Sequence, residues 1–185
     1  MIAYDGSRYF GFVRQPGVPT IEGELLGAIR KLKLFKNLKS AWYRIAARTD
    51  RGVSALAQVA ALDLEMEPKI SELNSELPED ISILSSVQVQ KSFDPRKEVV
   101  AKHYRYVCLP PSNFDFEVVR KAIKLLEGPH DFKCFCKREL GGNTRNSLLH
   151  ASVRMNEFLI FDFIAKFFLR QQAVSYTHLT LPTKA

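Results

Sequence analysis

Several features are scarce or missing in this 185-residue chain. It has three cysteines, Cys108, Cys134 and Cys136, and only the last two are close together, which excludes a disulfide framework and fits a reducing compartment. No apolar run reaches membrane-spanning length without a charge, and no signal-like segment opens the chain. Repeats and low-complexity segments are also missing. We therefore expect a soluble, cytoplasmic protein with no membrane partner.

What the chain does contain is typical of a globular protein. Hydrophobic residues make up 46% and aromatic residues 11% of the sequence, enough for a buried core. The formal net charge is +7, and the basic residues are spread along the chain. Basic side chains on a folded surface favour phosphate backbones through counterion release, so a nucleic-acid partner is indicated. An ordinary basic protein is the alternative that charge alone leaves open.

Hydrophobic periodicity predicts an α+β fold with a largely antiparallel sheet and helices on one face. Strands are predicted at Met1–Tyr4, Trp42–Ala47, Gln58–Leu64, Ile81–Val89, His103–Leu109, Leu148–Met155 and Phe158–Ile164. Helices are predicted after the N-cap Thr20, near Ile70–Leu77 and over Phe114–Leu126. Pro110-Pro111 is the best candidate boundary between two halves, because two consecutive prolines interrupt both kinds of element.

The stretch ARTDRGVSA, residues 47–55, places the carboxylate of Asp50 between two arginines. If the strand from Trp42 continues to Asp50, Arg48 and Asp50 point to the same face, and the arginine favours the charged carboxylate. Gly52 permits a sharp turn directly after the acid, which can bring the carboxylate to the mouth of a cleft. Such an acid suits a nucleophile or an electrostatic anchor better than a proton donor. A surface ion pair in a turn is the alternative for an isolated R-T-D.

Other motifs place this stretch in a wider pattern. In chain order they are IAYDGSRYFGFVRQP (2–16), ARTDRGVSA, LPEDI (77–81), KHYRYV (102–107), HDF (130–132), NTRNSL (143–148) and FFLRQQ (167–172). Together they resemble the TruA family of tRNA pseudouridine synthases, and the resemblance covers roughly residues 2–172. The combination of R-T-D-x-G-V-x-A with the N-terminal block is highly specific, whereas a lone R-T-D is weak.

The resemblance implies a tRNA pseudouridine synthase that acts on uridines of the anticodon stem-loop, without cofactor or metal, as a homodimer. It implies two ferredoxin-like halves, similar to RNA-recognition motifs, whose sheets join across a basic cleft floored by Asp50. Asp50 is then the nucleophilic aspartate, Arg48 its ion-pair partner, and Tyr104 the aromatic residue that packs against the target base. Whether Asp50 attacks C1′, adds to C6 or removes a ribose proton is left open.

Further RNA contacts are predicted in segments that mix basic and aromatic residues. The segment RYFGFVRQ interleaves both types, as single-strand and loop binders do, so Arg14 and Gln15 are predicted RNA contacts, together with Arg51. Arg145 is either a phosphate or strand-end contact or a surface salt bridge. Asp5 is expected to be a structural turn residue. His130, Cys134 and Cys136 lack a fourth ligand and the usual C-x-x-C spacing, so a metal site is not predicted.

The C-terminal part departs from the family pattern. We expect an N-terminal half at residues 1–109 and an incomplete C-terminal half at 112–172. Residues 173–185, AVSYTHLTLPTKA, can be back-translated into a string that looks like a sequencing-library adapter, so they are interpreted as an artefact. Deletion of Val174–Ala185 is expected to be neutral, and Phe161, Phe163 and Phe167 are expected to be partly uncovered. The alternative function is a non-catalytic RNA-binding remnant of the same fold. Ala47 and Ser54 indicate archaeal-type relatives.

Overall fold

The computed structural model describes residues 1–35, 42–112, 114–137, 143–172 and 175–176. The chain divides into two compact units, Met1–Val99 and Val100–Ala185. This division precedes Pro110-Pro111, because the strand Lys102–Cys108 pairs with a strand of the second unit. None of the helices in the described ranges combines the length and the apolar character needed to cross a membrane.

The first unit contains two small antiparallel sheets and two helices among its described residues. Its elements are β1 (Ile2–Tyr4), α1 (Ile21–Lys31), β2 (Tyr43–Ile45), β3 (Ala55–Gln58), β4 (Ala60–Leu62), α2 (Ile70–Glu76) and β5 (Ile81–Ile83). β1 lies between β3 and β5, while β2 pairs with β4. Phe12, Ile21, Ile29 and Ile81 are at most 2% exposed and centre the core. The short β1 is therefore the central strand next to the Asp50 stretch.

The helix predicted after Thr20 is confirmed as α1. The Thr20 hydroxyl oxygen accepts a hydrogen bond from the Gly23 backbone N–H at 3.2 Å, which satisfies one free donor at the helix start. Acidic residues lie in the first turn and basic residues in the last, which complements the helix dipole. α1 therefore holds in place the segment that follows the N-terminal motif, residues 2–16.

The strand before Asp50 is shorter than predicted. β2 ends at Ile45, so the inference that Arg48 and Asp50 share one face of a continuing strand is wrong. The buried side chain of Gln58 accounts for the early end: its Nε2 donates to the Ala47 carbonyl at 2.8 Å, and its Oε1 accepts from the Ala47 N–H at 3.3 Å. A side chain therefore takes the hydrogen bonds that a continuing strand would supply, and residues 46–54 form a loop.

The second unit is built on one four-stranded antiparallel sheet in the order β6-β9-β8-β7. Its elements are β6 (Lys102–Cys108), α3 (Phe116–Lys124), β7 (Gly128–Asp131), β8 (Arg145–Met155) and β9 (Leu159–Ala165). β7 was not predicted, because GPHD carries no alternating pattern. The described residues thus form a mixed α/β fold with antiparallel sheets, which confirms the predicted class at this level.

The core of the second unit includes one residue from the stretch interpreted as an artefact. Tyr176 is 2% exposed, and its ring stacks on Phe163 with 4.5 Å between ring centroids. Burial raises the pKa of Tyr176 to about 12, and Gln172 Nε2 donates to its hydroxyl. Phe161 and Phe163 are 1% and 2% exposed, so the expectation that they are uncovered is wrong, whereas Phe167 is 46% exposed. A deletion that removes Tyr176 is therefore not expected to be neutral.

We predict that Tyr176→Ala lowers the free energy of unfolding by about 3 kcal/mol, the usual result of emptying an aromatic site in a core. Phe167→Ala is the matched control, because nearly half of that residue is already exposed, and its effect should stay below about 1 kcal/mol. Urea unfolding of the full chain measures both. Equal effects would contradict the assignment of Tyr176 to the core.

Candidate active site

Asp50 lies on a loop, residues 46–54, whose backbone is fixed to the N-terminal motif. The Phe12 N–H donates to the Thr49 carbonyl at 3.1 Å, and the Gly52 N–H donates to the Tyr9 carbonyl at 3.2 Å. The hydroxyls of Tyr4 and Thr49 also share a hydrogen bond of 2.8 Å. These contacts lie on both sides of Asp50, so the loop holds the residue in a defined place. We call residues 46–54 the Asp50 loop.

Two glycines of the N-terminal motif allow this close approach. A Cβ on Gly11 would lie 2.9 Å from the Thr49 carbonyl oxygen, and Gly11 has a φ of +95° that only glycine adopts readily. A Cβ on Gly6 would lie 2.0 Å from the Val53 carbonyl oxygen, which is inside van der Waals contact. Larger residues at either position would push the Asp50 loop away.

The expected turn around Asp50 is present. Gly52 has a φ of +77°, and the Val53 N–H donates to the Asp50 carbonyl at 3.2 Å. Asp5 is confirmed as a turn residue: its carboxylate accepts from the Ser7 N–H at 2.9 Å and from the Ser54 hydroxyl at 3.2 Å. The turn and the Asp5 contacts close the C-terminal side of the loop.

Asp80, in the LPEDI motif, binds side chains of the N-terminal motif. Its carboxylate accepts from Arg8 at 2.6 and 3.0 Å and from the Tyr9 hydroxyl at 2.8 Å. Burial favours the neutral acid, but the hydrogen bonds from Tyr9 and Arg8 outweigh it and hold the pKa of Asp80 below its ordinary value. The LPEDI motif alone gave no sign of this role, because both partners lie about seventy residues earlier in the chain. Asp80 therefore holds the N-terminal motif, which in turn contacts the Asp50 loop.

The carboxylate of Asp50 is exposed, and within the described residues it forms no side-chain hydrogen bond or ion pair. Arg48 is exposed too, and in the same part of the chain the two do not pair. Arg51 instead lies over the Phe10 ring, with its guanidinium carbon 4.2 Å from the ring centroid. The acid and its flanking cations are therefore separate groups, each open to a ligand.

Arg14 and Gln15, the predicted RNA contacts, already have intramolecular partners. Arg14 Nε lies 3.4 Å from the Glu22 carboxylate, yet the Arg14 side chain is 48% exposed. Gln15 Nε2 donates to the Phe10 carbonyl at 2.6 Å. Both residues shape the segment that carries Phe10, and their RNA contacts stay predictions.

The second unit holds the other two predicted site residues. Tyr104 shares a face of β6 with Tyr106, as the alternation of a strand requires, and packs edge-on against Phe168 at 4.7 Å between ring centroids. Arg145 begins β8 and lines a shallow concavity with His130 and Phe167. Among the described residues Arg145 has no ion-pair partner, so the salt-bridge alternative gains no support.

Comparison with known proteins identifies the family, although no family model matches the chain. A protein of Thermococcus onnurineus is 36% identical over 176 residues, 93% of this chain and 65% of the relative. A Methanosarcina barkeri protein is 37% identical over 91% of this chain and 63% of its own length. One from Methanopyrus kandleri is 43% identical over 77% of this chain and 52% of its own length. All three are named tRNA pseudouridine synthase A.

The chain belongs to this family, the TruA family that the motifs indicated. It spans less than two thirds of the length of the relatives it matches: 65%, 63% and 52% for these three. The relatives are archaeal, as Ala47 and Ser54 indicated.

We predict that Gly11→Ala destabilises the protein more than Gly17→Ala. Gly17 has a φ of +76°, but a Cβ added there would meet nothing within 4 Å, so it carries the backbone strain without the collision. The strain costs about 1–2 kcal/mol at each site, and the collision with Thr49 adds about 1–3 kcal/mol at Gly11 alone. Denaturant unfolding measures the difference, and equal losses would mean that the close approach is unimportant.

We predict that Asp80→Asn lowers the free energy of unfolding by about 1.5–3 kcal/mol, because Arg8 and Tyr9 lose a charged acceptor. Glu79→Gln is the control: Glu79 is exposed and adjacent, and the change in charge is the same, so its effect should stay within about 0.5 kcal/mol.

The Asp80 effect should depend on pH in a defined direction. Since the folded-state pKa of Asp80 is lowered, its contribution is complete above the unfolded value of about 3.9 and is lost as pH falls through the folded value. The gap between wild type and Asp80→Asn should therefore narrow below about pH 4. A gap that stays constant between pH 7 and pH 3 would contradict this account.

Proposed function

We propose that this chain isomerises uridine to pseudouridine in tRNA, with Asp50 as the nucleophile. The observation that carries the proposal is an exposed carboxylate, free of side-chain partners within the described residues, on a loop fixed by backbone hydrogen bonds on both sides. The names of the relatives support the same activity. A fixed carboxylate that is not already paired can act on a substrate without first breaking an internal contact.

The chemistry requires such a group. In the isomerisation the bond from C1′ to N1 of uracil breaks, the detached ring turns, and C1′ bonds to C5; C5 then loses a proton and N1 gains one. No atoms or electrons are added, so no cofactor is needed for balance. Asp50 attacks C1′, adds to C6 or removes a ribose proton, and each route needs an ionised carboxylate held beside the nucleotide.

Binding the target uridine requires taking it out of its stack, which costs about a few kcal/mol. We propose that Tyr104 packs against the extruded base and that Arg51 contacts RNA while held on Phe10. Arg14, Gln15 and Arg145 are proposed as further RNA contacts. Gln15 contacts the Phe10 backbone and Arg145 lines a concavity with Phe167, and basic or amide groups beside aromatic residues are typical of loops that bind unstacked RNA.

The finer features follow the family resemblance. We propose that the substrate region is the tRNA anticodon stem-loop, that Arg48 pairs with Asp50 once bound RNA excludes water, and that the protein acts as a cytoplasmic homodimer. The two units are proposed to be ferredoxin-like halves, which their antiparallel sheets permit.

We predict that Asp50→Asn abolishes pseudouridine formation but keeps tRNA affinity within a few-fold, because the amide has nearly the same shape and lacks only the nucleophile. Unmodified tRNA transcripts are incubated with the protein, and pseudouridine is mapped by a chemical method that marks it. Asp63→Asn is the control, since Asp63 is an exposed acid of the same unit and undergoes the same change in charge.

If Asp50→Asn kept a tenth of the wild-type turnover, the assignment of Asp50 as the nucleophile would be wrong. A wild-type chain that binds tRNA but forms no pseudouridine would support the non-catalytic RNA-binding alternative instead.

A further inference from the structure

The outer face of the second unit's sheet carries an ionic cluster to which the proposed reaction gives no role. This face is opposite the one on which Tyr104 packs. The carboxylate of Asp162, on β9, accepts from Arg105 Nε at 2.8 Å and contacts His103 Nε2 at 2.5 Å and an Arg154 terminal nitrogen at 3.3 Å. The three partners of Asp162 come from β6 and β8, on either side of β9. We call these four residues the Asp162 cluster.

The acid of the Asp162 cluster is buried, whereas its basic groups face solvent. The Asp162 side chain is only 8% exposed, against 46% for Arg105 and 59% for Arg154. A guanidinium has five N–H donors, and Asp162 takes only the Nε donor of Arg105 and one terminal nitrogen of Arg154. Asp162 therefore does not use the remaining donors of the two guanidinium groups, which belong to side chains that are about half exposed.

The cluster also carries excess positive charge. Two arginines against one carboxylate leave a net charge of +1 with His103 neutral, and His103 adds a further charge when protonated. Burial favours the neutral acid, but the hydrogen bonds from Arg105 and His103 outweigh it and lower the pKa of Asp162, so it stays ionised at neutral pH. Asp162 therefore orients the arginines without cancelling them.

We propose that the Asp162 cluster binds a phosphate of the RNA backbone through Arg105 and Arg154. This inference rests on the proposed function for the identity of the RNA. Planar guanidinium groups match phosphate oxygens, and arginines already oriented by an acid lose less side-chain entropy on binding. A phosphodiester supplies the opposite charge that this face lacks.

A second copy of the chain is a poorer occupant of this face. A symmetric dimer formed through it would bring two net-positive clusters together, with both carboxylates buried beneath the arginines. Like charges at such an interface oppose association. Charge complementarity therefore favours RNA over self-association.

The test uses the full chain, an unmodified tRNA transcript and binding measured over a range of salt concentrations. Arg154→Gln is the main variant, because it removes the longest contact and leaves Asp162 paired with Arg105 and His103. We expect it to weaken tRNA binding several-fold. The slope of log affinity against log salt is negative, and its magnitude should fall by about 0.7–0.9, the value for one phosphate contact. Arg120→Gln is the control, since Arg120 is a similarly exposed arginine paired with an acid on α3.

A second variant separates phosphate binding from a structural role. Arg105→Lys keeps the charge but loses the planar fork, so affinity should fall while the salt slope stays near wild type. Sedimentation of each variant reports its oligomeric state, and circular dichroism reports its fold.

Three outcomes would overturn the inference. Affinity and slope equal to wild type in Arg154→Gln and Arg105→Lys would mean that the cluster does not contact RNA. A variant that binds normally but changes the oligomeric state would make the face a subunit interface. A wild-type chain that binds no tRNA would remove the proposed function as well, which distinguishes that failure from the first two.

Discussion

The close backbone approach between the N-terminal motif and the Asp50 loop is the contact on which the candidate site depends. It is possible only because Gly6 and Gly11 have no Cβ where the carbonyls of Val53 and Thr49 lie. The hydrogen bonds from Phe12 and to Tyr9 form across this contact and fix the loop on both sides of Asp50. The Asp50 side chain can remain exposed because the backbone of its loop, rather than its carboxylate, carries the structural contacts.

The same contact explains why separate motifs belong together. The N-terminal motif packs against the Asp50 loop on one side and is held by Asp80 on the other, so residues about seventy positions apart form one assembly. Asp80 acts through Arg8 and Tyr9, and within the described residues it forms no hydrogen bond with Asp50. Some residues of the motifs, such as Asp80, therefore support the Asp50 loop and do not belong to the candidate reacting groups.

Sequence reasoning succeeded where one local signal decides the structure and failed where a distant side chain does. The helical period and the Thr20 cap predicted α1, and the strand predicted at His103–Leu109 is present as β6, with Tyr104 and Arg105 on opposite faces. The end of β2 depended on Gln58, whose hydrogen bonds to Ala47 carry no sequence signature. The partners of a buried acid such as Asp162 come from the strands on either side of it, and their juxtaposition follows from sheet order, which periodicity does not give.

Neither of the two arginines around Asp50 pairs with its carboxylate within the described residues. Arg51 is held over Phe10, and Arg48 is not paired with Asp50 within the described residues. For the proposed reaction, charges that are separate in the free protein leave the cations to attract RNA and the acid to meet the nucleotide. In the second unit the relation is reversed: Asp162 is buried and paired, so that acid serves to orient its arginines rather than to react.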